Sequence, residues 1–181
     1  FHQLEKGLKE VIYEDDVMTI ETLPLSHKIR CSGFIFKEKK KPRRIDKTML
    51  PPNLLIQQLA RLKDGDDVKD ENGNILFSNA SLTLDPKKSR SYAYCSDTVF
   101  DESLADHLRN VDLLYHESTF MTEEEGKASE TKHSTAKQAA TIAKMAQAEK
   151  LLLGHFSARY KDLAPLLEEA KSIFPNTELA I

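Results

Sequence analysis

The chain has 181 residues and a net charge of −3, with 40% hydrophobic and 30% charged residues. This length suits one domain with a substantial core, and the slight negative charge argues against a protein that coats nucleic acid over its whole surface. Its two cysteines, Cys31 and Cys95, do not form the pattern of a disulfide framework. Without such a framework we expect a protein of the reducing cytoplasm. No apolar run approaches the length of a membrane span, so we expect no membrane partner.

The first half of the chain is predicted to hold two strands and a basic, helical insertion. Alternating apolar and polar residues predict a strand over residues 17–25, and a second candidate strand spans 31–38. A stretch rich in Lys and Arg follows, and Pro51 and Pro52 suit the start of a leucine-rich helix. Asn72-Gly73 is typical of a hairpin turn. We interpret residues of about 37–80 as an insertion and not as a second domain.

The second half alternates strands and helices, which predicts an α/β fold. Three predicted strands end in polar tips, at residues 89–98, 111–119 and 150–157. Helices are predicted after the capping residues Asp101, Ser134 and Asp162, and a final edge strand is predicted near the C-terminus. The segment 121–132, rich in Glu and Lys, is predicted to be a mobile loop. In layered α/β folds, binding sites lie at such strand ends.

Three residues directly past apolar strands are candidate metal ligands: His27, Asp97 and His155. Imidazole and carboxylate are donor types that suit zinc, and a strand end holds a side chain rigidly. Each residue alone also has a simpler interpretation. A histidine at a strand end often makes only a structural hydrogen bond, and an aspartate before a threonine often forms a turn. Their spacing in sequence does not decide between these alternatives.

A second candidate group combines His116-Glu117 with His133. A glutamate can orient a histidine so that the imidazole donates a proton near neutral pH. The alternative is that Glu117 caps a loop and that His133 is a solvated residue before a helix.

Several basic residues are candidate contacts for phosphate groups. Arg159 follows His155 closely, and arginine can grip a phosphate with two hydrogen bonds. The stretch between the second strand and the predicted helix carries the other candidates, which are Lys39, Lys40, Lys41, Arg43 and Arg44. Such a stretch is usually a solvated loop, but its density in an acidic chain favours contact with a nucleic-acid backbone.

Five short motifs, taken in order, resemble those of ribonuclease Z, a branch of the metallo-β-lactamase superfamily. They are PLSHKIRCSGF, YCSDT, YHEST, KHST and LLLGHFSARY, and together they cover nearly the whole chain. The resemblance implies an αββα sandwich fold and a zinc-dependent endoribonuclease that removes the 3′ trailer of precursor tRNA and leaves a 3′-hydroxyl. It also implies two zinc ions per full-length subunit and a homodimer.

The resemblance assigns a role to each candidate residue. His27 would bind one zinc ion, Asp97 would bridge both, and His155 would bind the other. Glu117 and His133 would form the pair that donates a proton to the departing 3′ oxygen. Arg159 would lie near the substrate phosphate, and the basic stretch would take the place of the arm that holds tRNA in some members of this family, although its composition differs from theirs.

The family's signature His-x-His-x-Asp-His, which supplies further zinc ligands, is absent from the chain. The chain also opens at Phe1 without a Met, in a sequence typical of a domain interior, although processing is a simpler explanation. We therefore expect a C-terminal portion of one domain that binds zinc weakly or not at all by itself and is inactive alone. Another metallo-β-lactamase-fold hydrolase acting on a small ester or phosphodiester, and a non-catalytic RNA-binding module, are the alternatives.

Overall fold

The computed structural model describes residues 9–181, which form two compact units. One unit joins the described residues before Glu38 to Arg90–Ile181, and the other is Glu38–Ser89. Part of the expectation of a longer protein rests on the opening residues from Phe1. These residues lie outside the described part of the chain. Every helix between residues 9 and 181 is too short or too polar to cross a lipid bilayer.

The larger unit contains a seven-stranded sheet and four helices among its described residues. Its strands, numbered along the whole chain, are β1 (Val11–Glu14), β2 (Met18–Pro24), β3 (Ser32–Glu38), β8 (Ser91–Cys95), β9 (Leu113–Glu117), β10 (Lys150–Gly154) and β11 (Thr177–Leu179). Its helices are α3 (Leu104–His107), α4 (Glu125–Thr131), α5 (Ala136–Met145) and α6 (Ala164–Lys171). The smaller unit contains β4 (Arg44–Ile45), β5 (Val68–Lys69), β6 (Ile75–Phe77), β7 (Thr83–Leu84), α1 (Ile56–Asp64) and α2 (Asn79–Leu82).

The large sheet has the strand order β1-β2-β3-β8-β9-β10-β11. Strands β1 and β2 are antiparallel, as are β3 and β8, whereas β8 to β11 run parallel. The register pairs Cys95 with His116, and Glu117 with Gly154, so the carboxyl ends of β8, β9 and β10 lie side by side. The polar tips predicted from the sequence therefore meet at one edge of the sheet. The final strand, β11, pairs with β10 and is an edge strand of the sheet, as predicted.

One face of this sheet packs against helices. Leu114, Leu151 and Leu153 point into a core that also contains the small-residue face of α5. That face consists of Ala136, Ala139, Ala140 and Ala143, all fully buried. Alanines allow the helix backbone to approach the sheet closely.

The opposite face of the sheet carries half-buried aromatic side chains. Tyr94 stacks on Tyr115 with ring centroids 4.7 Å apart, and Phe36 stacks on Tyr92 at 5.7 Å. The described residues thus provide one helix layer and one sheet of the predicted sandwich. A second sheet of a sandwich would pack on such an apolar face.

The smaller unit has its own core, in which Leu62 of α1 packs with Val68 and Leu82. The predicted hairpin is present as β5 and β6, with Gly73 at a φ of 87° in the turn. The helix, however, begins at Ile56 and not at the two prolines, because the Gln58 side chain accepts the Leu55 N–H and sets the first turn there. That this unit, which ends at Ser89, is an insertion stays a prediction.

The prediction of a mobile loop at residues 121–132 is wrong. This segment forms a 3-10 turn, Thr122–Glu124, followed by α4. Contacts distant in sequence hold it: Gln138 donates to Glu125, and the Thr122 N–H donates to Glu169. Ala128 is fully buried, which fixes one side of α4.

Two predicted helix starts also differ from the structure. The cap of α5 is Thr135 and not Ser134, because Thr135 accepts the Gln138 N–H while the Gln138 side chain accepts the Thr135 N–H. The Asp101 carboxylate accepts hydrogen bonds from the N–H and the hydroxyl of Ser103. The helix that follows is only the short α3. Asp162 does accept the N–H of Ala164, the first residue of α6.

We predict that Gly154→Ala destabilises the full-length protein by about 1–3 kcal/mol. A Cβ at this position would clash with the hydroxyl and ring of Tyr115, so the ring would have to leave its stack on Tyr94. Urea unfolding measures the change. Gly126→Ala is the control, because nothing lies within 4 Å of its added Cβ and alanine favours the helix. Equal midpoints for Gly154→Ala and the unmodified protein would contradict the prediction.

Candidate metal centre

The three candidate ligands converge at the carboxyl end of the parallel strands. Asp97 follows β8 and His155 follows β10, and the His155 Nε2 atom lies 3.3 Å from the Asp97 Oδ1 atom. Ligand atoms of His27, Asp97 and His133 all lie within 4.8 Å of one another, as do those of Glu117, His133 and His155. The His133 ring lies between the other two histidines, with centroid distances of 4.8 Å to His27 and 5.2 Å to His155.

Asp97 and His155 both have a left-handed backbone, with φ angles of 59° and 55°. This conformation is unfavourable for residues other than glycine, and it persists only where the surroundings enforce it. The Cys31 thiol donates to the Asp97 carbonyl at 3.0 Å, and the Thr119 hydroxyl lies 3.1 Å from the His155 carbonyl. The backbone of Asp97 is therefore held by a hydrogen bond from the Cys31 side chain.

Glu117 is fully buried and receives hydrogen bonds from four groups. The backbone N–H groups of Thr98 and Ser134 donate to it at 2.6 and 3.1 Å. The Thr119 hydroxyl donates at 2.5 Å, and His133 Nδ1 lies 3.0 and 3.1 Å from the two carboxylate oxygens. Since a carboxylate only accepts, His133 carries its proton on Nδ1 and leaves Nε2 for the site.

His27 is oriented by a backbone carbonyl. Its Nδ1 atom lies 2.8 Å from the carbonyl oxygen of Lys132, so Nδ1 is the donor and Nε2 is free to act as a ligand. Lys132 ends α4 with a left-handed backbone, at a φ of 64°. The segment that the sequence analysis predicted to be mobile thus orients one candidate ligand.

His116, next to Glu117 in sequence, does not join this group. It is 1% exposed and its Nδ1 lies 2.8 Å from the Glu117 carbonyl oxygen. Burial lowers the pKa of His116, which keeps this imidazole neutral within the core.

The donor set fits a metal ion of the zinc type. The groups comprise imidazole nitrogens and carboxylate oxygens, and protein acceptors already engage the second nitrogen of the histidines. Engaging one nitrogen fixes the tautomer and aims the other at the metal. These residues would supply part of a ligand shell, and the signature with further ligands is absent from the chain.

Arg159 lies beside the centre but is held by an acidic partner. Its guanidinium bonds to Glu124 and lies 5.2 Å from the centroid of Phe120, whose ring also approaches His133. Desolvation acts to raise the pKa of Glu124, but hydrogen bonds from Tyr160 and Arg159 outweigh it, and the net pKa is lowered. A phosphate at Arg159 would therefore compete with Glu124.

The basic candidates of the smaller unit differ in how they are paired. Lys40 is exposed, whereas Lys41 bonds to Glu38 at 2.6 Å. Arg43 bonds to Asp85 at 2.9 Å, and Arg44 donates to the Asp85 carbonyl. The smaller unit still has eleven Lys and Arg against eight Asp and Glu, a net charge of +3 in a chain of −3. Lys39 shares this basic stretch.

Four groups that orient the candidate ligands were not predicted from the sequence. These are Thr119, Thr98, Ser134 and the carbonyl group of Lys132. Thr119 could have been found, since it lies two residues past Glu117 in the quoted YHEST motif. No sequence signal marks a carbonyl group at a helix end.

Comparisons with known proteins assign the family. The β-lactamase superfamily domain matches residues 46–156, which include Asp97, Glu117, His133 and His155. The chain therefore belongs to the β-lactamase superfamily, and its fold is of the metallo-β-lactamase type. The chain is 49% identical over 176 residues to ribonuclease Z of Cytophaga hutchinsonii, and 45% identical over 181 residues to that of Bacteroides fragilis. These names confirm the predicted resemblance.

The matches cover nearly all of this chain but only part of each relative. They span 97% and 99% of the chain, and 56% and 59% of the two relatives. Among solved structures, the short form of human tRNase Z matches with a TM-score of 0.56 at 22% identity, over 95% of this chain and 44% of that one. A metallo-β-lactamase-fold protein of Bacillus subtilis matches with a TM-score of 0.59 at 18% identity, over 97% and 50%. These structures support the fold.

We predict that Glu117→Gln destabilises the full-length protein by about 3 kcal/mol. The amide nitrogen would face N–H donors that now bond to a carboxylate oxygen, leaving buried donors unsatisfied. The free energy of unfolding in urea measures this loss. Glu123→Gln, on the exposed 3-10 turn, is the matched control and should change it by less than about 0.5 kcal/mol. Equal losses in the two variants would contradict the prediction.

Proposed function

We propose that the full-length protein is a zinc-dependent endoribonuclease that removes the 3′ trailer of precursor tRNA and leaves a 3′-hydroxyl. One observation carries this proposal: candidate ligands and a Glu117–His133 pair meet at one strand edge, in a chain whose relatives are named ribonuclease Z. The chain covers little more than half of those relatives. We therefore assign the activity to the whole protein, and we expect residues 1–181 alone to bind zinc weakly and to be inactive.

In this proposal His27, Asp97 and His155 would hold the two zinc ions, and Asp97 would contribute to both. The short Asp97–His155 distance and the free Nε2 atom of His27 support these roles. When bound, the metal ions supply an activated water and stabilise negative charge on the phosphate. The protein contributes side chains whose positions are fixed before substrate arrives.

Glu117 and His133 form the proton-donating pair of the proposal. His133 Nδ1 is held by the buried Glu117 carboxylate. The proton that His133 donates in this reaction would therefore be on Nε2, which faces the site. The Glu117 carboxylate holds the His133 ring so that Nε2 is the atom from which a proton would be donated. Loss of that proton to the departing 3′ oxygen completes the hydroxyl of the product.

The smaller unit provides the proposed contact with RNA. Its net charge of +3 contrasts with the negative charge of the rest of the chain. Five of its eleven basic residues lie close together in sequence, namely Lys39, Lys40, Lys41, Arg43 and Arg44. Arg159 would release its ion pair with Glu124 and would then contact the phosphate near the cleaved bond. We further propose that the protein acts in the cytoplasm as a homodimer.

His133→Ala in the full-length protein is predicted to slow cleavage of precursor tRNA at least about a hundredfold while metal content is retained. The variant loses the proton donor but leaves His27, Asp97 and His155 in place. Asp97→Ala is the comparison, and it should lose both metal and activity. Cleavage rates and metal analysis are measured together.

The same assay distinguishes the alternative function. A hydrolase for small esters or phosphodiesters would cleave a small aryl phosphodiester faster than precursor tRNA. If His133→Ala lost its zinc, His133 would be a ligand and the assigned role would be wrong.

Neutralising Lys39, Lys40, Lys41, Arg43 and Arg44 together is predicted to weaken tRNA binding and to flatten its dependence on salt. Each phosphate contact that is lost lowers the slope of log K against log salt by about 0.7–0.9. Binding is measured by titration at several salt concentrations. A control variant neutralises five basic residues of the larger unit, namely Arg109, Lys137, Lys144, Lys161 and Lys171. Identical slopes for the two variants would rule out a specific role for the basic stretch.

A further inference from the structure

Thr119 occupies a central position between Glu117 and His155. Its hydroxyl oxygen lies 2.5 Å from Glu117 Oε2, 2.8 Å from His155 Nδ1 and 3.1 Å from the His155 carbonyl oxygen. The residue is 7% exposed, so water does not readily replace these contacts. No other described side chain is recorded within hydrogen-bond distance of His155 Nδ1.

A hydroxyl group has one hydrogen, and this settles the direction of each bond. The 2.5 Å contact between two oxygens requires a hydrogen between them, and Glu117 already accepts from three other donors. The Thr119 hydrogen therefore points to Glu117, and the hydroxyl oxygen accepts the hydrogen of His155 Nδ1. His155 thus keeps a lone pair on Nε2 when it acts as a ligand.

We propose that Thr119 is the positioning residue of the metal centre, which selects the tautomer and the ring orientation of His155. This inference rests on the proposed metal function. Thr119 links the buried carboxylate to a ligand whose left-handed backbone is otherwise unfavourable, and its hydroxyl oxygen accepts the Nδ1 hydrogen of that ligand's ring. Such partners of metal-binding histidines commonly change metal affinity when they are removed.

The same carboxylate couples this contact to the other ligands. Glu117 accepts the N–H of Thr98, directly after Asp97, and holds the ring of His133. A shift of Thr119 therefore alters His155 relative to a fixed Asp97, and the 3.3 Å separation between Nε2 and Oδ1 would change.

The test compares Thr119→Val with Thr119→Ser in the full-length protein. Valine keeps the volume and removes the hydroxyl, whereas serine keeps the hydroxyl. Zinc affinity is measured by competition with a chelator. Thr119→Val should bind zinc about 10–100-fold more weakly, and Thr119→Ser should bind close to normally. In the zinc-loaded protein, the Nδ1 hydrogen of His155 should exchange with solvent faster in the valine variant, as measured by NMR.

Two further variants make the outcome decisive. Ser118→Ala removes a neighbouring buried hydroxyl that donates to the Gly154 carbonyl, and it should leave zinc affinity unchanged. His155→Ala should weaken zinc binding, and Thr119→Val should add nothing in that background. If His155→Ala weakens zinc binding but Thr119→Val does not, the inference fails and the proposed function survives. If His155→Ala binds zinc normally, both fail.

Discussion

The buried carboxylate of Glu117 is the constraint on which the candidate site depends. It accepts hydrogen bonds from residues after β8, after β9 and at the start of α5, which are far apart in sequence. A carboxylate enclosed in protein is unfavourable unless such donors surround it. The same bonds therefore satisfy Glu117 and fix the segments that carry Asp97, His133 and His155. The hydrogen bonds that stabilise this region are therefore the same ones that position the candidate site residues.

The site also stores local strain. Two candidate ligands and the residue that orients a third have left-handed backbones: Asp97, His155 and Lys132. Each such residue costs on the order of 1 kcal/mol or more, and the cost is tolerated only where contacts fix the chain. Parallel strands provide a rigid base directly before Asp97 and His155, since β8 and β10 flank β9 in register. Rigid placement lowers the reorganisation needed when a metal or phosphate binds.

The sequence predicted the strands of the site well because their signals are local. Within residues 150–157, for example, an apolar run comes directly before His155, and this run forms β10 in the structure. The failures concern contacts between distant residues. Helix α4 is rich in Glu and Lys and has little apolar periodicity, so only its contacts with Gln138 and its neighbours reveal it. Ser134 resembles a cap as much as Thr135 does, but its hydroxyl donates to the Thr98 carbonyl.

The distribution of charge differs between the two units and bears on the proposed substrate. Outside residues 38–89 the chain has fifteen Lys and Arg against twenty-one Asp and Glu, a net charge of −6. The carboxylates Asp97 and Glu117 belong to the candidate site, yet unneutralised negative charge repels a phosphate backbone. Bound metal ions would offset this repulsion only locally. An RNA substrate would thus need cationic side chains elsewhere, and the smaller unit supplies them. A small phosphodiester has little use for such contacts, which is why the charge of residues 38–89 favours a polymeric substrate.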